Sequence, residues 1–232
     1  MKDKEYILEA IDLKKTFGVT LARQGANLDV KQGEIVAIMG PSGSGKSTLL
    51  HCLAGILKPD SGEVMFDGKR LDQMDEAERT KLRRTAFGFV FQFGQLVPEL
   101  TAEDNVALPL LLNKAGRSEA YTKARSWFPR LGIEGMEKHR TGEMSGGQSQ
   151  RVALARALAI EPKVLFADEP TGSLDSLASE QVMELLVKTA REQGTTVVLV
   201  THDPRIAAYA DREVMVRDGK VTTAGRRVGA VR

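Results

Sequence analysis

The segment Glu34-Ile-Val-Ala-Ile-Met-Gly40-Pro-Ser-Gly-Ser-Gly-Lys46-Ser47 limits the possible folds more than any other stretch of this chain. Glu34–Met39 is an apolar run of the length of one buried strand. It leads into a loop spaced as Gly, four residues, Gly-Lys-Ser. Lys46–Gly55 then has helical character, closed by Gly55 and followed by Pro59. Strand, glycine loop and helix in this order make a phosphate-binding device. Glycines let backbone N–H groups converge on phosphate oxygens without a Cβ in the way. The helix opens with its positive dipole end and unpaired amides toward the anion. The spacing therefore predicts a nucleotide-binding loop of Gly40, Pro41, Ser42, Gly43, Ser44, Gly45, Lys46, Ser47 and Thr48. Lys46 would supply a mobile charge for the β- and γ-phosphates, and the Ser47 hydroxyl would ligate Mg²⁺.

Around this loop, short apolar runs alternate with helical patterns, the mark of an α/β protein with a largely parallel sheet. Ile7–Leu13 and Ala26–Val30 read as strands of alternating exposure, and Phe87–Phe91, Val164–Ala167 and Val197–Val200 as short strands. Glu63–Phe66 with Asp67–Gly68 reads as a hairpin arm, and Glu213–Arg217 with Lys220–Thr223 as a hairpin about Asp218–Gly219. From Gly94 to Ile160 only helical spacing is expected, so a helical lobe should interrupt two strand-rich stretches.

Composition narrows the classes. With 33 basic against 31 acidic residues and a net charge of +2, no global field favours nucleic acid. No apolar run reaches the roughly 18 residues needed to span a bilayer, and the start MKDKEYILEA is charged rather than signal-like. A membrane role is therefore expected to come through a partner. The basic tail Gly225–Arg232 reads as a solvated end, with contact to lipid headgroups as the alternative. Cys52 is the only cysteine; it excludes an internal disulfide, fits a reducing cytoplasm, and is expected on a buried helix face. His51 and His139 lack a chemical context and read as structural or solvated.

Val164-Leu-Phe-Ala-Asp168-Glu169-Pro170 is an apolar strand ending in two carboxylates, and parallel sheets deliver ligand-binding residues at the carboxyl ends of their strands. Asp168 is expected to hold Mg²⁺, directly or through its waters. Glu169 is expected to act as general base on a water in line with the γ-phosphate. His202 follows the apolar run VVLVT, where it could be structural, contact the γ-phosphate or hold the attacking water. Met144-Ser145-Gly146-Gly147-Gln148-Ser149-Gln150-Arg151 places a second anion-binding turn at a helix start. One nucleotide does not need two such devices from one chain, so the second is expected to serve a nucleotide held by another copy.

Taken together these motifs resemble the ATP-binding-cassette (ABC) ATPases, over essentially the whole chain. The resemblance implies a P-loop NTPase (RecA-like) core, mostly parallel, with an antiparallel β subdomain and an inserted helical subdomain. Residues 1–93 and 161–232 would form the core with its β subdomain, and 94–160 the helical part. It further implies an ATP-hydrolysing head-to-tail homodimer in which Ser145, Gly146, Gly147 and Gln148 meet the ATP of the opposite subunit. Gln92 would contact Mg²⁺ and the lytic water, Asp175 would lie in the loop crossing the dimer interface, and His202 would be the switch histidine. Phe17 would stack on adenine, although the following VTLARQGANL departs from the family pattern. Met144 and Ser149 also depart from it, without touching phosphate-binding atoms.

The stretch from Phe91 through Leu112 and the phrase DEPTGSLDS look like the stand-alone ATPases of lipoprotein-release, macrolide-export and antimicrobial-peptide systems. These imply an integral membrane permease as partner and a place on the cytoplasmic face of the inner membrane, held there by the permease. Two other functions compete: an ATPase that regulates a cell-envelope process without moving a solute, and a soluble ABC protein of DNA repair or translation. The latter class usually carries a coiled-coil insertion or tandem cassettes, which this chain lacks.

Overall fold

The computed structural model describes residues 6–16, 25–92, 95–217 and 220–224; Phe17, the pair Asp218–Gly219 where a turn is expected, and Gly225–Arg232 lie outside the described residues. The chain forms two compact units, Met1–Arg83 with Thr196–Arg232, and Arg84–Thr195.

The first unit contains two sets of strands. β1 (Tyr6–Lys14), β2 (Ala26–Lys31), β4 (Ser61–Phe66) and β5 (Lys69–Arg70) form an antiparallel sheet in the order β2-β1-β4-β5. β3 (Ile35–Met39) lies parallel to both β8 (Thr196–Val200) and β9 (Arg212–Arg217), and β10 (Lys220–Ala224) closes antiparallel on β9. Every residue of β3 and β8 is buried, which is why both read as unbroken apolar runs rather than as alternation. The start of β3 is fixed by side chains: the Asp211 carboxylate accepts from Ile35 N at 2.9 Å, and the Thr196 hydroxyl accepts from Gly33 N at 2.9 Å. Helix α1 (Lys46–Leu53) follows β3 and buries Leu49, Leu50, Cys52 and Leu53, and helix α2 (Glu76–Thr85) comes after β5 in the chain. Gly55, at φ 63°, closes it as the sequence predicts.

Expected alternation fails in β1. Ile7 and Leu8 are both buried, while Ile11 and Asp12 both face solvent. The cause is irregular pairing: the register slips between Ala10 and Leu13 against β2 and between Ile11 and Lys14 against β4, where Asp12 takes φ 47°. β2 keeps the expected pattern, with Ala26, Leu28 and Val30 buried.

In the second unit β6 (Phe87–Phe91) and β7 (Val164–Asp168) run parallel and in register, Phe87 opposite Val164 and Phe91 opposite Asp168. The Phe166 ring meets the edge of Phe87 at 5.2 Å and stacks with Phe89 at 5.7 Å, stiffening the pair. Helices α3 (Ala102–Leu112), α4 (Arg117–Arg125), α5 (Trp127–Arg130), α6 (Gly146–Leu158) and α7 (Ser176–Gln193) complete the unit. Between Gly94 and Ile160 the described residues contain no strand, only an isolated bridge of Thr101 with Arg140. α3 is nucleated by a capping box, in which Thr101 accepts from Asp104 N and Asp104 accepts from Thr101 N. α6 lies close on β6 because Gly88 has no side chain; a Cβ there would come within 2.7 Å of Ala157 O.

Candidate nucleotide-binding and catalytic site

In the first unit the predicted loop sits between β3 and α1. Gly40 (φ 152°), Gly43 (φ 76°) and Gly45 (φ 98°) hold backbone conformations that favour glycine. A Cβ on Gly40 would strike Val216 O at 2.1 Å, whereas Cβ atoms on Gly43 or Gly45 would project into open space. Such a loop is a cradle that side chains would fill. No side chain caps the start of α1, whose positive dipole end favours an anion. The Ser44 hydroxyl is buried without a hydrogen-bond partner, an arrangement a phosphate oxygen would relieve. Lys46 is also buried, and its Nζ donates to Gly40 O at 2.9 Å and Pro41 O at 3.0 Å. The amine thus lies over the loop and can exchange these carbonyls for phosphate oxygens. Ser47, in the first turn of α1, is exposed, and Thr48 beside it is half-buried.

His202, in the same unit, lies two residues past the carboxyl end of β8 and is exposed. The next residue, Asp203, donates from its N–H to the Thr201 hydroxyl at 3.1 Å and caps the short helix α8 (Pro204–Ala207). Hydrogen bonds from Arg205 hold the Asp203 carboxyl below the usual carboxylate range.

In the second unit, pairing of Phe91 with Asp168 makes the ends of β6 and β7 level, so Gln92 and Glu169 are the first residues beyond two adjacent strand ends. Asp168 and Glu169 are half-buried. Glu169 stands at φ 48°, a strained conformation for a residue with a side chain. The loop after it is tightly bonded: Gly172 N donates to Glu169 O at 3.0 Å and Leu174 N to Thr171 O at 3.0 Å. The Ser173 hydroxyl donates to Gln92 O at 2.7 Å. The Gln92 side chain lies against Gly172, whose Cβ, if present, would be 2.8 Å from Gln92 Nε2. Strand pairing, the Ser173 bond and a missing Cβ together set Gln92 beside the Glu169 loop.

Ser145 is the N-cap of α6. Its hydroxyl accepts from Gln148 N at 3.2 Å, and Gln148 Oε1 accepts from Ser145 N at 2.8 Å. The spacing Ser-x-x-Gln is that of a reciprocal capping box, so both residues of the expected anion-binding turn also secure the start of α6. Gly146 and Gly147 pack against the segment after β7; Cβ atoms on them would lie 3.3 Å from Leu174 Cδ2 and from Ala178 Cβ. Asp175 is likewise a cap, its Oδ1 accepting from Ala178 N at 2.8 Å at the start of α7. Sequence reasoning missed one further residue, Gln150, whose Nε2 donates to Phe91 O at 2.9 Å and Pro170 O at 2.6 Å. Its signal was weak: a polar residue one turn into a helix whose later face is Ala153, Leu154 and Ala157. Phe17, the adenine-stacking candidate, lies outside the described residues.

Comparison with known proteins agrees with this geometry. A family model described as ABC transporter matches residues 23–172. The lipoprotein-releasing system ATP-binding protein LolD of Geobacter metallireducens is 44% identical over 219 residues, covering 93% of this chain and 97% of that protein. LolD of Myxococcus xanthus is 46% identical over 201 residues, covering 87% and 90%. Among solved structures, the dimeric post-hydrolysis state of the ATP-binding cassette MJ0796 bound to ADP and Pi superposes with a TM-score of 0.87 at 41% identity, covering 96% of this chain and 100% of that one.

Proposed function

Since the chain belongs to the ABC transporter ATP-binding family and is an ATPase with the P-loop fold, we propose that it is the motor subunit of a lipoprotein-release-type complex. In this reading two copies close head to tail over two ATP molecules, and their opening and closing drives a separate integral membrane permease. No helix among the described residues is long and apolar enough to cross a membrane, so the place we propose, the cytoplasmic face of the inner membrane, rests on that partner. The same reading divides the chain into a core of 1–93 and 161–232 and a helical subdomain of 94–160.

The observation that carries the hydrolytic reading is the level pair of strand ends, with Gln92 and Glu169 held beside each other by one interlocked loop. Backbone amides of the glycine loop and Lys46 would bind and orient the phosphates. Glu169 would take a proton from the attacking water, and Gln92 and His202 would hold that water in line. Ser145, Gly146, Gly147 and Gln148 would present the start of α6 to the nucleotide of the partner copy, with Asp175 at the same interface. Ser47, Asp168 and Gln92 offer hydroxyl, carboxylate and amide oxygens, the hard donors Mg²⁺ prefers, so the donor set fits that ion. When bound, Mg²⁺ would neutralise charge developing on the phosphates.

The strained Glu169 backbone fits a catalytic role, because an unfavourable φ persists only where its surroundings enforce it. The deciding experiment is purification from native membranes by an affinity tag. The expected result is an integral membrane permease that co-purifies and raises the ATPase rate of the chain. A chain that hydrolyses no ATP, alone or with membranes, and retains no membrane protein would overturn the proposal. Recovery of a cell-wall enzyme complex in place of a permease would turn it into the regulatory reading.

A further inference from the structure

We propose that Gln150 is a positioning residue for hydrolysis, one that links the start of α6 to the backbone beside both Gln92 and Glu169. The inference rests on the motor reading above. Gln150 lies one turn into α6, five residues after Ser145, and is 2% exposed. One nitrogen, Nε2, makes both of its bonds, to Phe91 O and Pro170 O. An amide nitrogen carries two hydrogens in a fixed plane, so both donors are used and the two carbonyls are held at a set separation. Phe91 directly precedes Gln92, and Pro170 directly follows Glu169. A single side chain therefore ties down the two segments that carry the proposed water-handling residues.

Its anchor is as well fixed as its targets. Gln150 extends from a helix that Gly88 allows to lie close on β6, and that the Ser145–Gln148 box caps. Because it is buried, the amide would be costly without both of its bonds, so it has little freedom to turn away. A shift of the turn Ser145–Gly147 should thus pass through Gln150 to Phe91 O and Pro170 O. In the proposed dimer that turn meets the nucleotide of the partner copy. Gln150 would then make the hydrolytic geometry of each subunit depend on what its α6 start has engaged.

The test uses Gln150→Met, which keeps length and bulk but cannot donate, beside Gln150→Ala. Displacements near 1 Å can cost about 100-fold in rate, so kcat is expected to fall about 10- to 100-fold in both variants while KM for ATP stays within about twofold. Each substitution placed on Glu169→Gln should still give the ATP-dependent dimer by light scattering, which a damaged fold would not. An active wild type with unchanged kcat in both variants would overturn this inference alone. So would a fall in kcat matched by loss of ATP affinity, dimerisation or melting temperature, which would make Gln150 merely structural. An inactive wild type would instead overturn the motor reading, and this inference with it.

Discussion

Replacing Gly172 by alanine tests the placement of Gln92 without altering any group that reacts. Gly172 does not have a left-handed φ, so an alanine fits its backbone and acts only through the space its Cβ takes. That Cβ would lie 2.8 Å from Gln92 Nε2, 3.0 Å from Cδ and 3.1 Å from Cγ. Because Cγ is crowded as well as the tip, turning the amide alone gives no relief. Reaching the 3.4 Å of ordinary contact requires the side chain to move by about 0.6 Å. Scaled against the roughly 100-fold that a 1 Å misplacement can cost, kcat should fall about 10- to 20-fold, or roughly 1.5 kcal/mol in the barrier. Steady-state phosphate release measures this, and KM for ATP should change by less than about twofold because the loop Gly40–Ser47 is untouched. Gly116→Ala serves as a control, since a Cβ there meets nothing within 4 Å. If Gly172→Ala kept the wild-type kcat, or if the control lost as much, the reasoning about Gln92 would be wrong.

The general-base role predicts that Glu169→Gln lowers the hydrolysis rate by about 10²- to 10⁴-fold and leaves an ATP-bound dimer, seen by light scattering; turnover at the wild-type rate would remove Glu169 from that role. Lys46→Ala forfeits charge-assisted bonds of about 1.5–3 kcal/mol, so fluorescent-nucleotide titration should show ATP affinity weakened about 10- to 100-fold, and unchanged affinity would count against the loop assignment. Burial pushes the Cys52 thiol up to about 11, so iodoacetamide at pH 8 should leave the native protein unmodified and label it readily in urea; rapid native labelling would refute that burial. Burial raises the Glu103 pKa, but hydrogen bonds from Arg125 (2.7 Å) and Lys138 outweigh it and hold the carboxyl below its usual range. A depressed folded-state pKa means that this stabilisation is full above the ordinary carboxylate value and is lost as pH falls through the lowered one. Urea unfolding of Glu103→Gln should therefore show a deficit of about 1–3 kcal/mol at pH 7 that shrinks at acid pH, and a deficit independent of pH would contradict the assignment.

What the sequence could reveal depended on how far each interaction reaches along the chain. β3, β7 and β8 were legible because strands buried on both faces appear as short apolar runs, and the glycine loop because its geometry is written in consecutive residues. β1 misled because a slip in register near Asp12 reverses the face of every residue beyond it, and no local pattern announces the slip. The site divides in the same way. Asp168, Glu169 and Ser145 could be found because each lies inside a contiguous motif. The Ser145 and Asp175 caps were equally local and could have been found by capping rules. Gln150 reaches Phe91 and Pro170, 59 and 20 residues away, and Gly172 matters through the missing atom that admits Gln92, a residue 80 positions earlier. Neither relation has a period or a spacing. The residues proposed to bind are thus readable from local motifs, whereas those proposed to aim them are visible only once β6, β7 and α6 have packed. If the motor reading holds, substitutions of these aiming residues should separate kcat from KM more cleanly than substitutions in the loop Gly40–Ser47, where binding and rate are lost together.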